Sequence, residues 1–199
     1  MAKVSIAVPY HDTPRTAFFL SRLFKSVDEQ TYKDYEIVVT KEGNFARNHN
    51  AAIIKSKGEY IQILQMDDYF AHPDALGIIV KGLETSKWQI TACVHDVDGV
   101  ICSPHTPQWT DDIYSGNNRL GGVSTLSMRR ESALFFEEPL QWLVDCDIYY
   151  RLYLKYGLPT INNDKGLVID TRNDRLTHTI SSIDKQNEVS YLIAKYDRS

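Results

Sequence analysis

Asp67 and Asp68 stand side by side at the end of the run Gly58-Glu59-Tyr60-Ile61-Gln62-Ile63-Leu64-Gln65-Met66-Asp67-Asp68. Tyr60 to Leu64 reads as a short, mostly apolar strand. Two adjacent carboxylates at the end of such a strand are costly unless water or a cation meets them. In an open α/β sheet, ligands bind beyond the carboxyl ends of the strands. A hard divalent cation shared with a phosphate-bearing ligand needs only one or two carboxylates at such a place. A simpler use competes with this one: either aspartate would also cap a helix beginning near Pro73.

The elements that would carry these residues follow from periodicity. Val4 to Val8 is an apolar strand ending at Pro9, and Asp12-Thr13-Pro14 predicts a helix start, a capping side chain followed by proline. That helix carries Phe19, Leu20, Leu23, Phe24 and Val27 at helical spacing. A second strand is predicted over Tyr35 to Val39. A second helix runs from Asn44 to Lys57 and stops at Gly58. With the strand from Tyr60 and a helix over Pro73 to Leu83, the order is β-α-β-α-β-α, which predicts a parallel sheet with crossover helices. The second half reads differently. Trp88 to His95 and Val100 to Cys102 flank a hairpin turn at Asp98-Gly99. Thr106 to Asn118 reads as a long loop, Val123 to Met128 as a strand and Leu140 to Tyr156 as a helix closed by Gly157. Leu167 to Ile169 is a last strand, and Ser182 to Tyr196 a terminal amphipathic helix.

Composition narrows the class. The chain has 199 residues, 43% hydrophobic and 24% charged, as in ordinary globular proteins. A net charge of −4 supplies no overall basic field for nucleic acid or an anionic membrane. No apolar run approaches the length of a membrane span. Cys93, Cys102 and Cys146 do not make a disulfide framework, and the N-terminus has no signal-peptide pattern, so a cytoplasmic protein with reduced thiols is expected. Without repeats or a linker, one domain is expected over 1–199.

Several segments together resemble a known family. Val4-Ser5-Ile6-Ala7-Val8-Pro9-Tyr10 resembles the opening strand of family 2 glycosyltransferases, inverting enzymes with a GT-A fold. Ala46-Arg47-Asn48-His49-Asn50-Ala51-Ala52-Ile53-Ile54 through Gly58-Glu59-Tyr60-Ile61 resembles the helix-strand unit before their metal site. Gln65-Met66-Asp67-Asp68 then falls where that family carries Asp-x-Asp-Asp. Trp142-Leu143-Val144-Asp145-Cys146-Asp147-Ile148-Tyr149-Tyr150-Arg151-Leu152 resembles the acidic segment that supplies the catalytic base. The resemblance spans residues 3–157 and implies an α/β, Rossmann-like domain, a mixed central sheet flanked by helices. Residues 1–87 would form its nucleotide-binding half and 88–199 its acceptor-side half.

The resemblance also implies chemistry. A nucleotide-diphosphate sugar, UDP-linked, would donate its glycosyl group with inversion. The leaving diphosphate gains negative charge, which Mn²⁺ or Mg²⁺ held by Asp67, with help from Asp68, would stabilise. The acceptor hydroxyl must lose a proton, and the resemblance makes Asp145 the base. Asp145 and Asp147 would equally suit the start of their helix as favourable charges. Pro9, Tyr10, Thr40, Arg47 and Gln65 would line the donor pocket. His178 corresponds to a C-terminal histidine that some GT-A enzymes place on the metal or diphosphate. Surface roles for Arg47 and His178 are the alternatives.

The sequence departs from the family at three points. The second strand ends Val39-Thr40-Lys41-Glu42-Gly43 rather than in an acidic pair, the first Asp of the metal motif is Gln65, and the Glu before the base is Val144. These departures keep open a non-catalytic sugar- or nucleotide-binding module. A sugar nucleotidyltransferase would show a Gly-rich loop after the first strand, and Pro9-Tyr10-His11-Asp12-Thr13-Pro14 has no glycine. Asp96-Val97-Asp98 is a literal Asp-x-Asp, but turn chemistry at Asp98-Gly99 explains both acids. Cys93, His95, Cys102 and His105 would face one another across the hairpin, at spacings odd for zinc. Trp109, Asp111, Asp112 and Tyr114 lie in the long loop, as a lid or acceptor platform or as local packing. No membrane segment, lasting nucleic-acid contact or particular acceptor is predicted.

Overall fold

The computed structural model describes residues 2–172 and 179–197. Val4–Pro9 forms β1, buried along its whole length. Val4, Ile6 and Val8 point into one core and Ala7 into the other, the alternation a pleated strand imposes. Tyr35–Thr40 (β2) and Tyr60–Ile63 (β3) flank β1, both in parallel. Parallel neighbours need crossovers over a sheet face. Helix α1 (Thr16–Asp28) packs Leu23 and Val27 against Val4, Ile6 and Val8. Helix α2 (Phe45–Lys55) covers the opposite face, with Ala46, Ala52 and Ile53 against Ala7, Ile61 and Ile63.

The sheet has eight strands in the order β2-β1-β3-β7-β5-β8-β4, with β6 paired to β5. Here β4 is Tyr69–Phe70, β5 Trp88–Val97, β6 Val100–His105, β7 Leu126–Arg129 and β8 Thr160–Asp170. Strand β7 runs antiparallel to both β3 and β5, whereas β5 and β8 are parallel, so the sheet is mixed. Helix α3 (Ala75–Leu83) lies on the α1 face through Leu76, Ile79 and Leu83. Helices α4 (Val144–Tyr156) and α5 (Ser182–Tyr196) share the α2 face through Ile148, Leu152, Leu192 and Tyr196.

Local chemistry moves several expected boundaries. Helix α1 starts at Thr16, after a turn in which Thr16 Oγ1 accepts from Thr13 N (2.7 Å) and donates to His11 O (2.9 Å). Helix α2 ends at Lys55 rather than at Gly58. Gly58 serves close approach instead, since a Cβ there would lie 2.6 Å from the Ser5 nitrogen. The segment Val123–Thr125 is a 3₁₀ turn, and the strand begins only at Leu126. Strand β8 starts at Thr160, well before the expected Leu167, because its polar first half still pairs with β5. Helix α4 begins at Val144, not Leu140. The N–H groups of Gln141, Trp142 and Leu143 donate to the Glu188 carboxylate of α5 at 2.8, 2.9 and 2.8 Å. His178 lies outside the described residues.

Candidate active site at the carboxyl ends of the parallel strands

Strand order reverses at β1, with β2 on one side and β3 on the other, and such a point opens a crevice at the carboxyl ends. Pro9 is paired with Thr40 there, and Tyr10 N donates to Thr40 O (2.9 Å). Asn48, 8% exposed on α2, joins the pieces. Its Nδ2 donates to Tyr10 O (2.7 Å), its Oδ1 accepts from Glu42 N (3.0 Å), and its carbonyl accepts the Thr40 hydroxyl (3.0 Å). Thr40 is therefore turned inward, 3% exposed, with its proton committed to α2. Arg47 stands exposed in the first turn of α2, next to the Asn44 cap, and pairs with Glu138 at 2.8 Å.

The chain leaves β3 into a turn in which Asp68 N donates to Gln65 O (3.0 Å). Gln65 N donates to Ser124 Oγ (2.9 Å), which ties this end to the segment before β7. The Asp68 side chain is buried, and its Oδ1 accepts from Asp170 N (2.9 Å) at the end of β8. It does not cap α3, whose first residue is Ala75. Asp67 is partly buried, and its carbonyl accepts from Arg22 Nη2 of α1 (2.6 Å). The same guanidinium bonds Asp96 Oδ2 (2.7 Å) and Asp170 Oδ2 (2.9 Å), both carboxylates buried, and lies 4.3 Å from the Tyr69 ring centre. The turn bearing Asp67 thus rests on a charged network spanning α1, β5 and β8.

Among the described residues, no three histidine, cysteine or acidic side chains gather as a metal-holding group. A hard cation shared with a diphosphate needs only one or two carboxylates and completes its shell with phosphate oxygens and water.

Asp145 lies in the first turn of α4. Its Oδ1 accepts from Cys146 N (2.8 Å) and its Oδ2 from Asn118 Nδ2 (2.8 Å). Burial pushes its carboxyl up to about 6, against the opposing pull of these two donors. Asp147, two residues on, faces α5. It is fully buried and meets Arg151 Nη2 at 2.6 Å, Lys195 Nζ at 2.8 Å and Tyr196 OH at 2.6 Å. Burial opposes its ionisation, but Arg151, Lys195 and Tyr196 outweigh burial and hold it below the usual carboxylate range. Adjacent acids on one helix turn are thereby driven apart, Asp145 toward proton exchange near neutral pH and Asp147 toward a permanent charge.

A chain of contacts joins the two ends of the site. From Gln65 it passes to Ser124, then to Gly121 and Gly122, whose carbonyls accept from Tyr149 OH at 3.2 and 3.0 Å. Asn118 Nδ2 donates to Gly121 O (3.0 Å) and reaches Asp145.

The other candidates resolve into local structure. Asp96 Oδ1 accepts from Gly99 N (2.7 Å) while its Oδ2 binds Arg22, and Asp98 occupies the turn at φ 51°. Trp109 packs on Tyr153 at 4.6 Å between ring centres, and Tyr114 on Tyr150 at 4.7 Å. These aromatics pin the long loop to α4. The roles of Asn48, Asn118, Ser124 and Arg22 escape sequence reasoning, because their partners lie far away along the chain or on the backbone.

No protein-family model matches the sequence, and no curated protein matches it. Solved structures do match by shape. S. aureus TarS 1–349 in complex with UDP superposes with a TM-score of 0.71 at 18% identity, over 97% of this chain and 64% of that one. The same protein with UDP-GlcNAc gives 0.67 at 16% identity, over 98% and 67%. Mannosyltransferase PcManGT from Pyrobaculum calidifontis, in complex with GDP-Man and Mn²⁺, gives 0.67 at 15%, over 100% and 65%. The chain thus spans 64% of the length of the UDP-bound TarS fragment. Its fold, a curled mixed sheet flanked by helices, is that of these glycosyltransferases.

Proposed function

We propose that the protein transfers a glycosyl group from a nucleotide-diphosphate sugar, UDP-linked, to an acceptor hydroxyl with inversion. The observation that carries this reading is Asp145. Burial pushes its carboxyl up to about 6, and hydrogen bonds through Asn118 and Ser124, joined by the backbone from Gly121 to Ser124, connect it to the strand end that bears Asp67. Bound nucleotides in the fold neighbours support it. In this account Pro9, Tyr10, Thr40, Arg47 and Gln65 border the donor. Thr40 shapes the pocket through Asn48 rather than by touching the base. Asp67 holds Mn²⁺ or Mg²⁺ together with the diphosphate, and Asp68 fixes the turn that presents Asp67 and completes the acidic pair. His178 falls outside the described residues, and its place on the metal or diphosphate rests on the resemblance alone.

The cation, when bound, neutralises the charge that develops on the leaving diphosphate. The acceptor oxygen forms the new bond to the anomeric carbon as the bond to the diphosphate oxygen breaks. Asp145 takes the acceptor proton in the same step. A second reading, a binding module without turnover, draws on Thr40, whose hydroxyl is spent on Asn48 where the family carries acids. Proton NMR of UDP-GlcNAc or GDP-Man incubated with the protein and Mn²⁺ separates the two, water standing in for the acceptor hydroxyl so that transfer is read as release of the sugar. Appearance of the sugar with inverted anomeric configuration, abolished in Asp145→Asn, supports transfer. Retained configuration, or turnover unaffected by Asp145→Asn, refutes it. Binding of either donor without any turnover supports the binding module.

A further inference from the structure

We propose that Asn118 is the positioning residue of the Asp145 carboxylate, orienting it and favouring its charged form; this deepens the reading of Asp145 as the base and rests on it. The amide is locked by its own loop. Its Oδ1 accepts from Leu120 N (2.8 Å) and Gly121 N (3.2 Å). Two backbone donors at that atom fix it as the oxygen, so Nδ2 must face Asp145 Oδ2 and Gly121 O. The loop on either side is held as well. Gln108 N donates to Arg119 O (2.9 Å), and the Thr110 hydroxyl donates to Asn117 O (2.6 Å). The Trp109 and Tyr114 rings pack on α4 at its next two turns. The donor therefore reaches Asp145 from a rigid support, while Cys146 N fixes the other carboxylate oxygen.

The charged form needs such a donor. Burial drives a carboxylate toward its neutral form, which cannot take a proton, and an N–H aimed at the oxygen favours the anion. Among the described residues, the titratable groups around Asp145 give it no cation. Cys146 and Tyr149, on its own helix, are held neutral by burial. Asp147 is directed to Arg151 and Lys195. His105 of β6 lies beyond Gly121, and its Nε2 is engaged by Arg119 O at 3.1 Å. With the Cys146 thiol, the Asn118 amide is thus a side chain that favours the ionised form of Asp145, and it does so from a separate loop.

The test is a ¹³C-carboxylate NMR titration of the full chain, with Asp145 assigned by its absence in Asp145→Asn. Asn118→Asp keeps an oxygen for the Leu120 and Gly121 N–H groups and replaces the donor by a carboxylate oxygen. Asn118→Ala removes both, and where it melts early Asn118→Asp decides. The Asp145 midpoint is expected to rise by about one pH unit or more in both variants. Turnover of UDP-GlcNAc with Mn²⁺ at pH 7 is expected to fall about tenfold or more, with the donor KM unchanged and partial recovery at higher pH. A midpoint and a kcat both unmoved in folded Asn118→Asp overturn the inference, even where Asp145→Asn is inactive and the base reading stands. Full turnover in Asp145→Asn overturns the base reading and this inference with it.

Discussion

Burial raises the Asp145 carboxyl to about 6, well above its unfolded value, so the folded chain binds its proton more tightly than the unfolded chain does. Stability from this group is full below about pH 4 and is lost as pH rises through 6. Asp145→Asn is therefore expected to stabilise the fold above pH 6, by about 1–2 kcal/mol after allowing for its mismatch with the Asn118 amide. The gain should vanish in acid, and turnover should fall roughly 10²- to 10⁴-fold. Urea titrations at pH 4 and pH 8 check the sign, and a gain equal at both pH values contradicts it. His49 behaves in the opposite sense. It is buried, stacked 3.8 Å from the Phe45 ring centre, and its Nε2 is buried without a hydrogen-bond partner. Burial lowers its pKa to about 4. The unfolded chain then takes up this proton first, so stability is present above 6.5 and is lost as pH falls toward 4, by about 3 kcal/mol. His49→Phe should lose none of this between those pH values. Parallel stability curves for the two proteins would exclude His49 as the source.

At the scale of elements, two long-range contacts of charged side chains set the frame. Arg22 of α1 meets the buried Asp96 and Asp170, and its removal takes the cation from Asp96 and leaves Asp170 with Arg172. Arg22→Met is expected to cost about 3 kcal/mol and to loosen the Asp67 turn. Chemical denaturation measures the first effect, and a loss under 1 kcal/mol would contradict the account. Glu188 of α5 receives three N–H groups ahead of α4, so Glu188→Ala should cost about 2 kcal/mol and fray the turn before Asp145, visible as faster amide exchange over 141–145. Neither pair was legible in the sequence. Arg22 and Asp170, or Gln141 and Glu188, are too far apart along the chain for spacing to connect them. Strand β4 has two residues and β8 begins with polar ones, so no period marked them. What was legible had a local cause. The apolar run of β1, the Asp98-Gly99 turn and the amphipathic face of α5 each declare their element within a few residues. Asp67 and Asp145 were singled out through ordered motifs. Asn118 was not, because its meaning lies in a contact 27 positions away.

For the whole molecule, the sheet brings together what the sequence keeps apart. Reversal of strand order at β1 opens the crevice, antiparallel β7 carries Ser124 to the end of β3, and the loop before it delivers Asn118 to Asp145. The proposed donor would occupy this crevice. The most direct measurement is calorimetric titration of nucleotide-diphosphate sugars into the wild type and Asp67→Ala, with Mn²⁺ and with EDTA. The account predicts that one donor binds only with Mn²⁺ and that Asp67→Ala weakens it at least tenfold, about 1.4 kcal/mol. Failure of every donor to bind with Mn²⁺ present, or equal binding by Asp67→Ala, would contradict it.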